Sequence, residues 1–309
     1  MNKRTFGTAK AQGGDVVSEI GLGTYHLTSD KGVPRDEALR VVERALQLGV
    51  NVIDTAPLYG RGESEELLGI ALEGRPEPHF LATKVGHLER TEDYRSFDAI
   101  MRQFERGLKL MRRESVDALQ VHEADWGHWW EGSAIEDAPV LQVLRRLKEE
   151  GRVRFIGITS NHAEPLAKLL AAYDFDVVLV ANRYTLLWQD AADALLPLAK
   201  QKGTAVIIGA PFHQAAFSAR HPEWLTNPPA WVTPGRLEQF KKLYALLDRI
   251  DIPIAELSLR FILRDARVHV VIPGSSRVSE LEANVAVSGK DPLAPGMLEA
   301  LAEINRIEA

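Results

Sequence analysis

Short apolar runs alternate with segments of helical spacing along most of the chain. Val16 to Gly23 reads as a strand ending in Gly-Thr-Tyr, and Pro34 to Leu48 carries apolar residues at helical intervals, with Pro near its start and Gly49 as its stop. The pattern repeats. Strands are expected at Val50–Ile53, His79–Thr83, Val116–Val121, Val153–Thr159, Val177–Val180, Ala205–Ile208 and Val268–Ile272. Helices are expected at Glu63–Leu72, Phe97–Met111, Val140–Glu150, Glu164–Ala172, Ala191–Lys202, Arg236–Arg249 and Ile254–Arg264, with more beyond Ser279. Strands separated by helices predict a parallel sheet. Eight of them are enough to close a (β/α)8 barrel, typically about 250 residues long. The 309 residues are therefore read as a single α/β barrel domain, 1–309, with an N-terminal β segment, long βα loops and a C-terminal helix. A doubly wound sheet fits less well, because no G-x-G-x-x-G follows the first strand and Gly21-Leu22-Gly23 is only a G-x-G.

In such folds chemistry collects where strands end. Asp54 closes one strand, Lys84 the next and His122 the one after, and Tyr59 lies in the turn that follows Asp54. A tyrosine can pass a proton, but its ordinary pKa of about 10 needs a neighbouring cation to bring it down. Lys84 is expected to supply that cation, Asp54 to hold Lys84, and His122 to orient a substrate oxygen. Taken singly, each residue has a plainer reading: Asp54 as a helix cap, Tyr59 as a packed aromatic, Lys84 as a solvated side chain and His122 as a core histidine. Convergence on one barrel face argues for the set. The run from His122 to His128 is rich in ligand types, but it lacks an H-E-x-x-H spacing, so no metal site is expected. Neither a G-x-S-x-G nor a cysteine is present for nucleophilic catalysis.

Composition narrows the class further. Hydrophobic content of 45% is ample for a core, and a net charge of −6 argues against a nucleic-acid partner. No run approaches the roughly 20 apolar residues that span a bilayer. The start of the chain lacks the apolar stretch of a signal peptide, and with no cysteine the expected location is cytoplasmic.

The quartet Asp54, Tyr59, Lys84 and His122 resembles the catalytic tetrad of the aldo-keto reductase superfamily. Gly21-Leu22-Gly23-Thr24 resembles that family's first barrel turn, and Asp54-Thr55-Ala56 with Tyr59-Gly60 and Ser64-Glu65 resembles its signature. Gly157 to Asn161 is similar to the segment whose Ser and Asn, here Ser160 and Asn161, hold the nicotinamide carboxamide. Ile272-Pro273-Gly274-Ser275 with Asn284 resembles the loop and helix that bind the adenosine phosphate end. The resemblance implies a TIM barrel that uses NADP(H) or NAD(H) on a small carbonyl or sugar substrate. Gly23, Thr24, Asp54, Ser160, Asn161, Arg183, Gly209, Pro211, Gly274, Ser275, Arg277 and Asn284 would face the cofactor. Tyr25, Trp126, Trp129 and Trp130, with the Phe212–Trp231 loop, would wall the substrate pocket; packing of these aromatics into a core is the alternative. Some proteins of this fold are instead regulatory subunits.

Departures from the family pattern bear on the cofactor. Gly209 stands where many members have a tyrosine that stacks on the nicotinamide, and Arg183 replaces a glutamine. Gly274 and Glu280 occupy the places of the usual Lys and Arg, which leaves Arg277 as the candidate partner for a 2′-phosphate. Ala181 to Leu187 and Gly209 to Phe212 resemble the branch of aldose (fucose, D-threo-aldose) 1-dehydrogenases and pyridoxal dehydrogenase.

Overall fold

The computed structural model describes residues 1–6, 15–75, 79–132 and 134–308. Two antiparallel strands, β1 (Lys3–Phe6) and β2 (Asp15–Ser18), form an N-terminal hairpin. The run expected as one strand over Val16–Gly23 is thus divided between β2 and a barrel strand, β3 (Leu22–Gly23). The break has a physical cause: the strand changes partner. Asn51 grips Ser18 through both backbone and side chain, and beyond it Gly21 donates to the Val271 carbonyl at 2.8 Å.

The barrel continues through α1 (Arg35–Gln47), β4 (Val52–Asp54), α2 (Glu63–Ala71), β5 (Phe80–Val85), α3 (Phe97–Met111), β6 (Val116–Val121), α4 (Pro139–Glu149), β7 (Val153–Ser160) and α5 (Ala163–Ala172). Then come β8 (Val177–Ala181), α6 (Leu195–Lys202), β9 (Ala205–Gly209), α7 (Pro234–Leu247), α8 (Ile254–Leu263), β10 (Val270–Ile272), α9 (Val278–Val285) and α10 (Pro295–Asn305). Strands β3 to β10 are parallel neighbours in chain order, and the bridges Ile20–Val271 and Gly23–Gly274 bring the first back to the last. The expected helix from Ala191 starts only at Leu195, after a separate single turn at Asp190–Ala192.

Period-two alternation organises the interior. Val52, Phe80, Ala82, Ala118, Phe155, Leu179 and Ile207 pack together inside the barrel, while Ile53, Leu81, Leu119 and Ile156 pack under the helices. The hairpin closes the amino-terminal end: Phe6 is fully buried, 4.5 Å from Phe80 and 5.5 Å from Phe155, ring centre to ring centre. One more step of two along the inward row of each strand leads to a polar residue: Asp54 after Val52, Lys84 after Ala82, and Gln120 then His122 after Ala118. The same alternation that fills the core therefore aims these side chains into the carboxyl-terminal mouth. Among the described residues no helix is long and apolar enough to cross a membrane.

Candidate active site

The mouth is organised around Lys84. Its Nζ donates to Oδ1 of Asp54 at 2.5 Å, to the Thr55 carbonyl at 2.8 Å and to the Tyr59 hydroxyl at 3.3 Å. Asp54 and Lys84 are each only 2% exposed, so this is an ion pair removed from water. Nε2 of Gln120 donates to the other carboxylate oxygen of Asp54 at 3.4 Å. The Asp54 backbone is held too: its carbonyl accepts from the Thr24 amide and hydroxyl, and Ser64 ties Thr24 to Thr55 through hydroxyl contacts of 2.6 and 2.8 Å.

Tyr59 reaches Lys84 because the chain turns sharply behind it. Gly60, Arg61 and Gly62 follow with φ of 57°, 56° and 101°, a left-handed run that glycine tolerates best. A Cβ at Gly60 would stand 2.8 Å from that of Glu63, so the turn also needs the space. Tyr59 is half-buried, 5.2 Å from the Tyr25 ring and 6.0 Å from the His122 ring.

The electrostatics follow from burial and from the Lys84 ammonium. Burial pushes the Asp54 carboxyl up, and Lys84 with Gln120 pulls it back. Burial opposes the charge on Lys84, but Asp54 and Tyr59 outweigh it and raise the ammonium above its ordinary range. Lys84 draws Tyr59 down as the sequence implied. Burial is the larger effect, however, so the phenol lies above its ordinary value rather than below it. Burial, then Lys84 and His87, hold His122 well below the usual histidine value, so its imidazole is neutral.

The loops expected to receive a cofactor ring the same mouth. The Ser160 hydroxyl donates to Asp125 at 2.6 Å, and Asn161 donates to Glu123 while accepting from Asn182. Arg183 folds back on the Asn161 carbonyl at 2.6 Å. Gly209 ends β9 against Ala181, the Pro211 carbonyl accepts from Ser258, and Asn284 donates to Ser275. Oδ1 of Asn182 is buried with no protein partner, and a Cβ at Gly274 would come within 2.5 Å of Cδ2 of His26. The free acceptor on Asn182, in a loop at the mouth, fits a hydrogen-bonding group such as the carboxamide of a nicotinamide dinucleotide, while Gly274 leaves His26 the room it occupies.

The structure revises other expectations. Trp129 does not line an open pocket: it is fully buried, donates to the His122 carbonyl at 3.3 Å and packs on Tyr94 at 4.6 Å. It buttresses His122 from behind. Trp130 is half-buried and donates to the Ala124 carbonyl, whereas half-buried Trp126 and 43%-exposed Tyr25 remain near the mouth. In the second aromatic loop His213 lies flat on Trp188, with ring centres 3.5 Å apart. Arg277 is not a free donor fork, since its Nε donates to Glu280 at 2.9 Å. Glu280 also accepts from the Ser276 amide and hydroxyl; burial pushes its carboxyl up, but Ser276 and Arg277 outweigh this and hold it low. Sequence reasoning missed Gln120, although its place two residues before His122 marks the same inward row. It also missed His87, which sits in a loop at φ 53° with no periodic signal.

A buried Lys–Asp pair touching a tyrosine at the mouth of an eight-stranded barrel defines an oxidoreductase-like site, and the comparisons agree. The Aldo/keto reductase family profile matches residues 19–306. D-threo-aldose 1-dehydrogenase of Pseudomonas sp is 27% identical over 97% of both chains. L-galactose dehydrogenase of Arabidopsis thaliana is 31% identical over 87% of this chain and 84% of its own. The holo form of an aldo-keto reductase from Bacillus halodurans superposes with a TM-score of 0.77 at 26% identity, covering 98% of this chain and 96% of that one. The chain belongs to the Aldo/keto reductase family. It is an NAD(P)-dependent oxidoreductase acting between nicotinamide and a carbonyl or alcohol.

Proposed function

We propose that the enzyme oxidises the anomeric hydroxyl of an aldose and, with hydride flowing the other way, reduces the carbonyl of an aldehyde to an alcohol, with Tyr59 as the general acid–base. The observation that carries this reading is the position of Lys84, within hydrogen-bond reach of both Asp54 and the Tyr59 hydroxyl. In oxidation a cyclic hemiacetal loses its hydroxyl proton to Tyr59 and its carbon-bound hydrogen as hydride, leaving a lactone. In reduction Tyr59 returns the proton to the carbonyl oxygen. When bound, the nicotinamide supplies or accepts that hydride at C4. Lys84 stabilises the phenolate, Asp54 and Gln120 hold Lys84, and neutral His122 donates a hydrogen bond to the substrate oxygen.

Residues 1–309 would form one domain carrying this site. Tyr25, Trp126 and Trp130 flank the substrate, while Gly23, Thr24, Ser160, Asn161, Arg183, Gly209, Pro211, Gly274, Ser275 and Asn284 line the cofactor groove. Arg277 and Glu280 together set the response to a 2′-phosphate. Dehydrogenases and an aldo-keto reductase among the similar proteins favour catalysis over a regulatory subunit, and two of those dehydrogenases are named for sugars. Steady-state assays with NAD and NADP against a panel of aldoses, run beside reduction of simple aldehydes, test the reading. Turnover of aldehydes alone would remove the sugar assignment, and no turnover in either panel would remove the catalytic one.

A further inference from the structure

At the edge of the tetrad, His122 meets side chains of two loops in a way that hydride transfer does not require. Ligating atoms of His87, His122 and Glu123 lie within 4.8 Å of one another. The two imidazole rings stand edge to face with centres 4.6 Å apart, and Trp126 covers His87 at 4.8 Å. Nε2 of His87 and Nδ1 of His122 are both shut off from solvent without a hydrogen-bond partner, and His122 is only 8% exposed. Buried ring nitrogens are normally satisfied. Two unsatisfied ones beside a carboxylate make a donor set in want of an acceptor of electron pairs.

We propose that His87, His122 and Glu123 bind a divalent transition-metal ion such as Zn²⁺, and that the bound ion shuts the active site. Two imidazoles and one carboxylate form a ligand set that leaves a fourth position open on zinc, and imidazole nitrogen favours Zn²⁺ over Mg²⁺ or Ca²⁺. Bond lengths of about 2.0–2.2 Å in a tetrahedron set ligand atoms roughly 3.4 Å apart. The three ligand atoms, within 4.8 Å of one another, must close in by side-chain rotation to reach that spacing. The nearby cation does not forbid a second one, because Lys84 is already paired with Asp54 and the charge of Glu123 is augmented by Asp125. Occupancy takes His122 away from the substrate oxygen. It also draws Glu123 off the Asn161 amide, which it accepts from at 3.1 Å, and so disturbs the cofactor loop in the same event.

Calorimetric titration of the metal-free full-length chain with Zn²⁺ tests the site directly, and a parallel Co²⁺ titration followed by visible absorption reports coordination. One equivalent is expected to bind. His87→Gln and Glu123→Gln should each weaken binding at least about tenfold, the scale on which metal sites respond to lost partners. His221→Asn, which alters an imidazole in a separate loop, should leave binding unchanged. Glu123→Gln preserves volume and carries the test should His87→Gln fail to fold. The absence of a saturable equivalent, or wild-type affinity in the folded variants, would overturn the site. Zn²⁺ should also inhibit turnover reversibly, with a chelator restoring it. That arm alone rests on the oxidoreductase reading, and one equivalent bound without inhibition would overturn the claim that the ion shuts the site.

Discussion

Nζ of Lys84 lies 2.5 Å from Oδ1 of Asp54, and each side chain is only 2% exposed. A pair so far from water is costly to form and more costly to break, because removing one partner leaves the other charged and unsolvated. The same ammonium also reaches the Tyr59 hydroxyl, at 3.3 Å.

Tyr59→Phe removes the hydroxyl proposed to move the proton and little else. Turnover should fall by about 10²–10⁴, the range for a lost general acid–base. Affinity for the nicotinamide cofactor, read by fluorescence titration, should stay within about twofold of the wild type. A variant that keeps most of its activity would displace Tyr59 from the proposed role.

Lys84→Met removes the cation that opposes burial at Tyr59. With burial unopposed the phenol pKa rises further, and oxidation requires the deprotonated form. The rising limb of the pH–rate profile for any residual oxidation should therefore shift to higher pH. Asp54 is left buried without its partner, so the variant should also lose roughly 3–5 kcal/mol of stability, read by denaturant unfolding. An unshifted profile at wild-type rate would contradict the role given to Lys84.

Glu65, on α2, is 1% exposed and accepts from the Thr83 hydroxyl at 2.9 Å. Burial lifts its carboxyl to about 7 from 4.5, with Thr83, Arg106 and Lys84 opposing. The folded chain thus keeps a proton that the unfolded chain has already released across that interval. Its contribution is complete below pH 4.5 and is lost as pH rises through about 7. A shift of that size corresponds to about 3 kcal/mol. Glu65→Gln should flatten this slope and raise Tm at pH 8 relative to the wild type. Parallel Tm–pH curves for the two proteins would exclude the assignment.

On the proposed reading Arg277 and Glu280 together set the response to a 2′-phosphate. Arg277→Ala should weaken NADP roughly tenfold while NAD changes little, because only NADP can engage the guanidinium there. Glu280→Gln should do the opposite and improve NADP relative to NAD, by removing a like charge from the start of α9. Equal changes for both cofactors in both variants would mean that neither residue senses the phosphate.

The linear chain determined more of this enzyme than its fold class. The succession of apolar runs put Asp54, Lys84 and His122 at the ends of neighbouring strands, and a parallel barrel gathers its strand ends at one mouth. Regular elements were legible because their patterns are local. The end of the first strand was not, because Gly21 leaves the hairpin for a partner some 250 residues away, the carbonyl of Val271. Only the tertiary structure decided which aromatics are core. Trp126 and Trp129 are three residues apart, yet one stays near the mouth and the other is sealed behind His122. It alone decided that Arg277 is already engaged by Glu280, and that burial outweighs Lys84 at Tyr59. Period and spacing are written along the chain, whereas desolvation and the pairing of charges depend on everything that packs around a group, which a sequence states only after it has folded.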